Sequence, residues 1–247
     1  MKISYELNPP KILDTKFDHE QLVRDINTFR SRVMRIKDLV DSIHITDSVL
    51  GVPRVSSITL AKETDIKVRC SIRVRDRNFM ALLQLVTDAI LANLDGLLIV
   101  KGDEPKDNSI DSGLKSTQVV KELNKLGFNN KIKLFLSIPC NPSKSIIEKK
   151  IDAEPYGLIT QTIASIESLI MINDIAKEHN IKVVPCIMIP SEKNRKSAET
   201  IGLNWSSYID DPYSFIKQAY DICGEVLMTS PMSFDDGLNT IRRLVRC

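Results

Sequence analysis

The chain has 247 residues, 34 Lys and Arg against 32 Asp and Glu, and a hydrophobic fraction of 43%. That length suits one large domain, and a net charge of +2 offers little field for nucleic acid or an anionic membrane. The N-terminus lacks the apolar core of a signal peptide and no apolar run approaches spanning length, so a cytoplasmic protein with no membrane partner is expected.

In chain order, residues 2–7 read as a short strand ended by Asn8-Pro9-Pro10, because two prolines cannot continue a ladder. Residues 18–33 place Leu22, Ile26, Phe29 and Val33 on one helical face. A second strand, residues 42–46, runs into Asp47, and a helix carrying Val55, Ile58 and Leu60 follows. The third strand, residues 66–74, ends in Arg75-Asp76-Arg77-Asn78, where Asn78 can cap a helix reaching Leu94. The apolar run 96–100 is too short for a helix and reads as a strand buried on both faces; it breaks into Lys101-Gly102-Asp103.

The second half repeats the pattern. A helix over 114–126 stops at Gly127, and strand five covers 132–138. Pro139-Cys140-Asn141-Pro142 turns into a short helix ending at Lys149-Lys150. Strand six is 157–161, followed by a helix over 166–177. Strand seven is 182–188, then polar residues 191–195 and a helix over 213–222. Strand eight is 225–229, and a helix over 235–245 follows. Eight strand-then-helix units with short connections predict a single (β/α)8 TIM barrel over residues 1–247. A doubly wound open sheet is the alternative, because periodicity alone does not prove closure.

In a barrel the carboxyl ends of the strands converge on one mouth. Glu6, Thr46-Asp47, Arg73, Lys101, Asp103, Asn141, Thr160-Gln161 and Thr229-Ser230 fall at those ends. Glu6 precedes a stiff Pro-Pro, and Gln161 ends a strand without turn chemistry. Two carboxylates and an amide around one cavity suit proton transfer to a nitrogen heterocycle. Arg69, Arg73, Arg75 and Arg77 suggest a basic patch for a phosphate or carboxylate, or a solvated rim paired with Asp76. No aromatic residues interleave with them, which disfavours nucleic acid. Walker, GxGxxG and HExxH motifs are absent. Cysteines 70, 140, 186, 223 and 247 form no CxxC and no metal spacing with the three histidines, so buried thiols and no metal are expected.

Several motifs resemble methylenetetrahydrofolate reductases. Glu6-Leu7-Asn8-Pro9-Pro10-Lys11 is similar to their E-x-x-P-P-[RK] opening, and Arg75-Asp76-Arg77-Asn78 to their R-D-R-N. Lys101-Gly102-Asp103-Glu104-Pro105 resembles [RTK]-G-D-x-P, and Asn141-Pro142 the N-P turn of one branch. Lys150-Ile151-Asp152-Ala153 with Ile159-Thr160-Gln161 resembles K-[VI]-[DE]-A-G-A…-T-Q. The motifs occur in the family's order, between residue 6 and about residue 195.

The resemblance implies a barrel that binds FAD and passes a hydride from NAD(P)H to methylenetetrahydrofolate or a related methylene-pterin. Glu6 would then be the general acid that opens the five-membered ring. Asp103 would sit beside flavin and pterin, and Gln161 would bind the substrate. Thr46, Lys101, Gly102, Asp103, Asn141 and Lys150 would contact FAD. Barrels of this family often associate, so a homo-oligomer is allowed.

The chain departs from the family at Ala153-Glu154-Pro155, where A-G-A is usual, and at Ser71, where a histidine is frequent. Ile138 and Asn141 stand where another branch carries Tyr and His, and residues 191–195 lack an aromatic to cover the pterin. Two other classes suit the same pattern: a pterin-binding barrel that transfers a methyl group without redox chemistry, and a non-catalytic partner subunit.

Overall fold

The computed structural model describes residues 1–13, 15–104 and 111–246. Eight parallel strands, β1 (Ile3–Leu7), β2 (Ser42–Ile45), β3 (Val68–Arg73), β4 (Gly96–Val100), β5 (Lys133–Ile138), β6 (Gly157–Thr162), β7 (Lys182–Met188) and β8 (Val226–Thr229), pair in sequence order. β8 returns to β1 with Ile3 opposite Val226 and Tyr5 opposite Met228. That pairing closes the barrel and excludes the open sheet.

Strand alternation divides the core in two. Leu98, Phe135, Ile159, Val184, Cys186 and Leu227 form a small cluster inside the barrel. Alternate residues such as Ile43, Cys70, Ile99 and Leu136 join the larger layer beneath the helices. The Phe135 ring occupies room left by glycine on both neighbouring strands, since a Cβ on Gly96 or Gly157 would approach it within 2.9 Å.

The amino-terminal end of the barrel is filled by charge. Glu225 is fully buried just before β8; Lys2, Lys182 and Arg69 each bring a nitrogen to 2.7 Å of its carboxylate. Ser4 Oγ donates to the same group at 3.1 Å. Burial alone would raise this carboxyl, but the Arg69 charge and the donors from Lys182, Lys2 and Arg69 outweigh it and hold the carboxyl well below the usual range.

The outer helices are α1 (His19–Ile36), α2 (Ser57–Ala61), α3 (Phe79–Leu91), α4 (Ser116–Lys125), α5 (Lys144–Ile151), α6 (Ile166–Glu178), α7 (Arg195–Thr200), α8 (Pro212–Cys223) and α9 (Phe234–Arg246). Asn78 caps α3 as expected, accepting from the Ala81 N–H at 2.9 Å. The helix ends short of Leu94 because Asn93 turns left-handed at φ 54°. α7 has no counterpart in the sequence pattern. It opens a long crossover anchored by Trp205 and Tyr208, whose hydroxyl donates to Met188 O at 3.1 Å. Cys70 and Cys186 are buried free thiols, whereas Cys140 and Cys223 are only half-buried. Cys247 and Pro105 lie outside the described residues. Among the described residues no helix is long and apolar enough to cross a membrane, and no cluster of potential metal ligands occurs.

Candidate active site

At the carboxyl ends of the strands lies a cavity of about 920 Å³. That is within the range of small-molecule and cofactor sites, roughly 300–1,000 Å³. Its floor holds Leu98, Ile159, Cys186 and Leu227 from the inner cluster, and Glu6, Asp103, Asn141 and Gln161 stand in its wall. Four predicted site residues from β1, the β4 end, the β5 end and β6 therefore meet around one space.

Glu6 points inward from β1 because Ser4, two residues earlier, also faces the barrel interior. Its Oε1 accepts a hydrogen bond from Thr229 Oγ1 at 2.8 Å. Burial raises the carboxyl above its ordinary value and the Thr229 bond opposes only part of that rise. The shift favours the protonated form, as an acid at this position requires.

Asp103 plays a structural part as well. Its Oδ2 accepts from the Leu50 N–H at 2.9 Å, and its backbone carbonyl from Arg73 Nη2 at 2.6 Å. Ser48 and Leu50 both adopt positive φ, so this bond helps hold a strained loop at the mouth. Asn141 Oδ1 accepts from Ser168 Oγ at 2.7 Å, which fixes that amide against α6. Gln161 is exposed to the cavity beside a register shift between β6 and β7.

The remaining predicted contacts do not line the cavity. Thr46 is buried and donates to Asn8 Oδ1 at 2.7 Å, so it acts on the wall through Asn8. Lys101 extends toward Asp111 at 3.8 Å. Gly102, at φ 88°, lies against Arg73, where a Cβ would come within 2.8 Å of the guanidinium. Lys150 is half-buried and its Nζ lies 3.5 Å from Ser116 Oγ in the first turn of α4; no carboxylate partner occurs among the described residues. Burial, then the neighbouring Lys149, lowers its pKa.

The arginine patch is a correction. Arg69, Arg73 and Arg75 are buried, and each arginine of the series is paired. Arg69 binds Glu225, and Arg73 grips Asp76 through Nε at 2.6 Å and Nη2 at 3.1 Å. Arg75 binds Asp111 at 3.0 Å and Arg77 binds Asp47 at 2.7 Å. These side chains build the barrel and its loops; they form no anion surface.

The structure adds wall residues that the pattern did not single out for this site. His44 and Ser71 line the cavity from β2 and β3, with His44 Nε2 2.8 Å from Ser71 Oγ. Ser137, Lys196 and Asn204 add to the polar wall, and Lys196 is its only cationic side chain among the described residues. No Phe, Tyr or Trp lines it among the described residues, in line with the absence of an aromatic over 191–195.

No family model and no curated protein matches the chain. Solved structures do. An aldolase, QR15, is 12% identical with a TM-score of 0.58, covering 98% of this chain and 94% of its own. Orotidine 5'-phosphate decarboxylase from Pyrococcus horikoshii OT3 is 14% identical with a TM-score of 0.53 and 99% of each chain covered. The GH99 endo-alpha-mannosidase from Bacteriodes thetaiotaomicron is 15% identical with a TM-score of 0.62, covering 92% of this chain and 82% of its own. The fold is a (β/α)8 barrel. Such low identity shows the architecture alone, since this barrel carries many unrelated chemistries.

Proposed function

We propose that the chain is a flavin-dependent reductase of methylenetetrahydrofolate or a related methylene-pterin, using NAD(P)H. The observation that carries the reading is Glu6, a carboxyl raised by burial in the wall of a cavity shared with Asp103, Asn141 and Gln161.

The residues fit FAD in two places. The apolar floor and the Asp103 and Asn141 wall suit a planar heterocycle, and Lys150, a half-buried amine at the first turn of α4, suits a phosphate. Bound FAD would supply the hydride, taken from NAD(P)H, to the methylene carbon of the substrate. Glu6 gives its proton to the substrate ring nitrogen, which opens the five-membered ring to an iminium able to accept that hydride. Gln161 hydrogen-bonds the pterin edge and holds the ring in the plane that Glu6 addresses. Burial beside the apolar floor favours the protonated form of Glu6, the form that gives the proton.

Stopped-flow measurement of the two half-reactions tests the reading. Glu6→Gln keeps size but not acidity, so flavin reduction by NAD(P)H should remain within about tenfold of wild type, while methylenetetrahydrofolate reduction falls by at least ~100-fold. A protein that takes up no FAD, or a variant that loses both rates together, refutes the proposal. Folate binding without FAD would instead favour the methyl-transfer alternative.

A further inference from the structure

His44 and Ser71 are not explained by the proton-transfer chemistry above. His44 is 1% exposed, and its Cα pairs with Glu6 on one side and Arg69 on the other. Its Nε2 lies 2.8 Å from Ser71 Oγ, and its buried Nδ1 has no partner among the described residues. Two proton placements satisfy the observed contact. With the proton on Nδ1, a buried N–H would stand orphaned, a rare and costly arrangement. With the proton on Nε2, the ring donates to Ser71 Oγ and leaves only a bare lone pair on Nδ1, which is the cheaper defect. A charged ring is opposed by burial and by Arg69, which together push its pKa down to about 3.

In that placement the Ser71 oxygen accepts from histidine, and its own proton has no protein acceptor among the described residues. Ser71 faces the cavity, two strands from Glu6. We propose that Ser71, turned by His44, is a specificity-determining hydrogen-bond donor that selects ligands presenting a carbonyl oxygen or imine nitrogen to the barrel floor beside Glu6. The inference rests on the reading of this cavity as a heterocycle site and adds what the ring must carry: an acceptor edge of the lactam or amidine kind. His44 is a positioning residue, acting only through the hydroxyl.

Two measurements test this. Long-range nitrogen–proton correlation spectra of histidine-labelled protein, with His44 assigned by its loss in His44→Gln, should show a protonated Nε2 and bare Nδ1, unchanged from pH 8 to pH 5. A proton on Nδ1, or a charged ring, overturns the proposal.

Calorimetric binding of 5-methyltetrahydrofolate and, separately, of FAD then reads the hydroxyl. Ser71→Ala should weaken the probe that occupies the floor by roughly 10- to 100-fold, the scale of one lost bond with an unpaired partner. Ser71→Thr, which keeps the hydroxyl, should bind nearly as wild type. Ser71→Ala also strands the His44 N–H, so the double variant His44→Leu/Ser71→Ala, which removes both partners, should recover thermal stability without recovering affinity. Wild-type affinity in Ser71→Ala or in the double variant overturns the proposal. If wild type binds neither probe, the reductase reading fails, while the histidine spectra still judge the donor independently.

Discussion

Replacing Glu225 with glutamine tests the energetics of the closed end of the barrel. The variant keeps volume and one acceptor oxygen but removes the charge that Arg69, Lys2 and Lys182 share at 2.7 Å. The three cations differ in what they lose. Side chains of Lys2 and Lys182 are 47% and 31% exposed and can turn to water, so each forfeits at most ~1 kcal/mol. Arg69 is 3% exposed and keeps a neutral amide oxygen and the Phe135 ring, 4.4 Å away, but no counter-charge. Leaving a buried charge without its partner costs ~3–5 kcal/mol, so Arg69 decides the outcome. For a chain of this size that corresponds to a fall in Tm on the order of 10 °C. Urea denaturation and calorimetry give the value. The pH dependence supplies a second check. Because the folded carboxyl is held below its unfolded value, its stabilisation is complete above about pH 4.5 and is lost as pH falls through the folded pKa. The gap between wild type and Glu225→Gln should therefore narrow in acid. A loss under ~1 kcal/mol at pH 7 would refute the assignment of Arg69 as a buried charge that depends on Glu225.

Glu6 has the opposite sign. Its folded pKa is raised above 4.5, so stability falls as pH rises through the folded value, and Glu6→Gln should gain on wild type between pH 4 and pH 8 in thermal melts; a pH-independent difference would contradict the burial effect. Gly102→Ala should cost ~1–3 kcal/mol, because its φ is 88° and Arg73 is tied to Asp76, Ser48 O and Asp103 O; Gly113→Ala, with φ 73° and open space, isolates the backbone part of that cost. Equal losses in the two variants would show that Arg73 yields without penalty.

The strands were legible because five or six apolar residues between Gly, Pro and charged breaks have few other solutions. Eight strand–helix units pointed to a closed barrel, but a single strand reads alike in an open or closed sheet, and the β1–β8 pairing from Ile3–Val226 to Tyr5–Met228 decides it. Glu6, Asp103, Asn141 and Gln161 were legible as strand-end polar groups that a barrel must bring together. Thr46 and Lys101 occupy the same ends but point to Asn8 and Asp111, and chain position alone carries no side-chain direction there. Pairing with Asp76 was legible and holds for Arg73, whereas the pairs of the other arginines were not. Their partners Glu225, Asp111 and Asp47 come from other elements, so spacing within β3 suggests a patch where the fold makes internal pairs. His44 gave no signal without the β2–β3 register that brings it beside Ser71. α7 begins after a polar run and buries only Ala198, too little for a helical period to show.

The pairing of those arginines has a consequence for the mouth of the barrel. Arg73 ends β3 at the level of the cavity, and its guanidinium reaches Ser48 O and the Asp103 carbonyl in the loops that line the mouth. Asp76, bound to Arg73 through both oxygens, balances its charge, and Asp47 does the same for Arg77. The carboxylates beside β3 therefore hold the two guanidiniums in the geometry by which Arg73 braces the mouth loops. Asp76→Ala would leave the buried Arg73 with only the Ser48 and Asp103 carbonyls as acceptors, and a loss of stability of ~3–5 kcal/mol in urea denaturation is expected; a loss under ~1 kcal/mol would refute the assignment of Asp76 as its counter-charge.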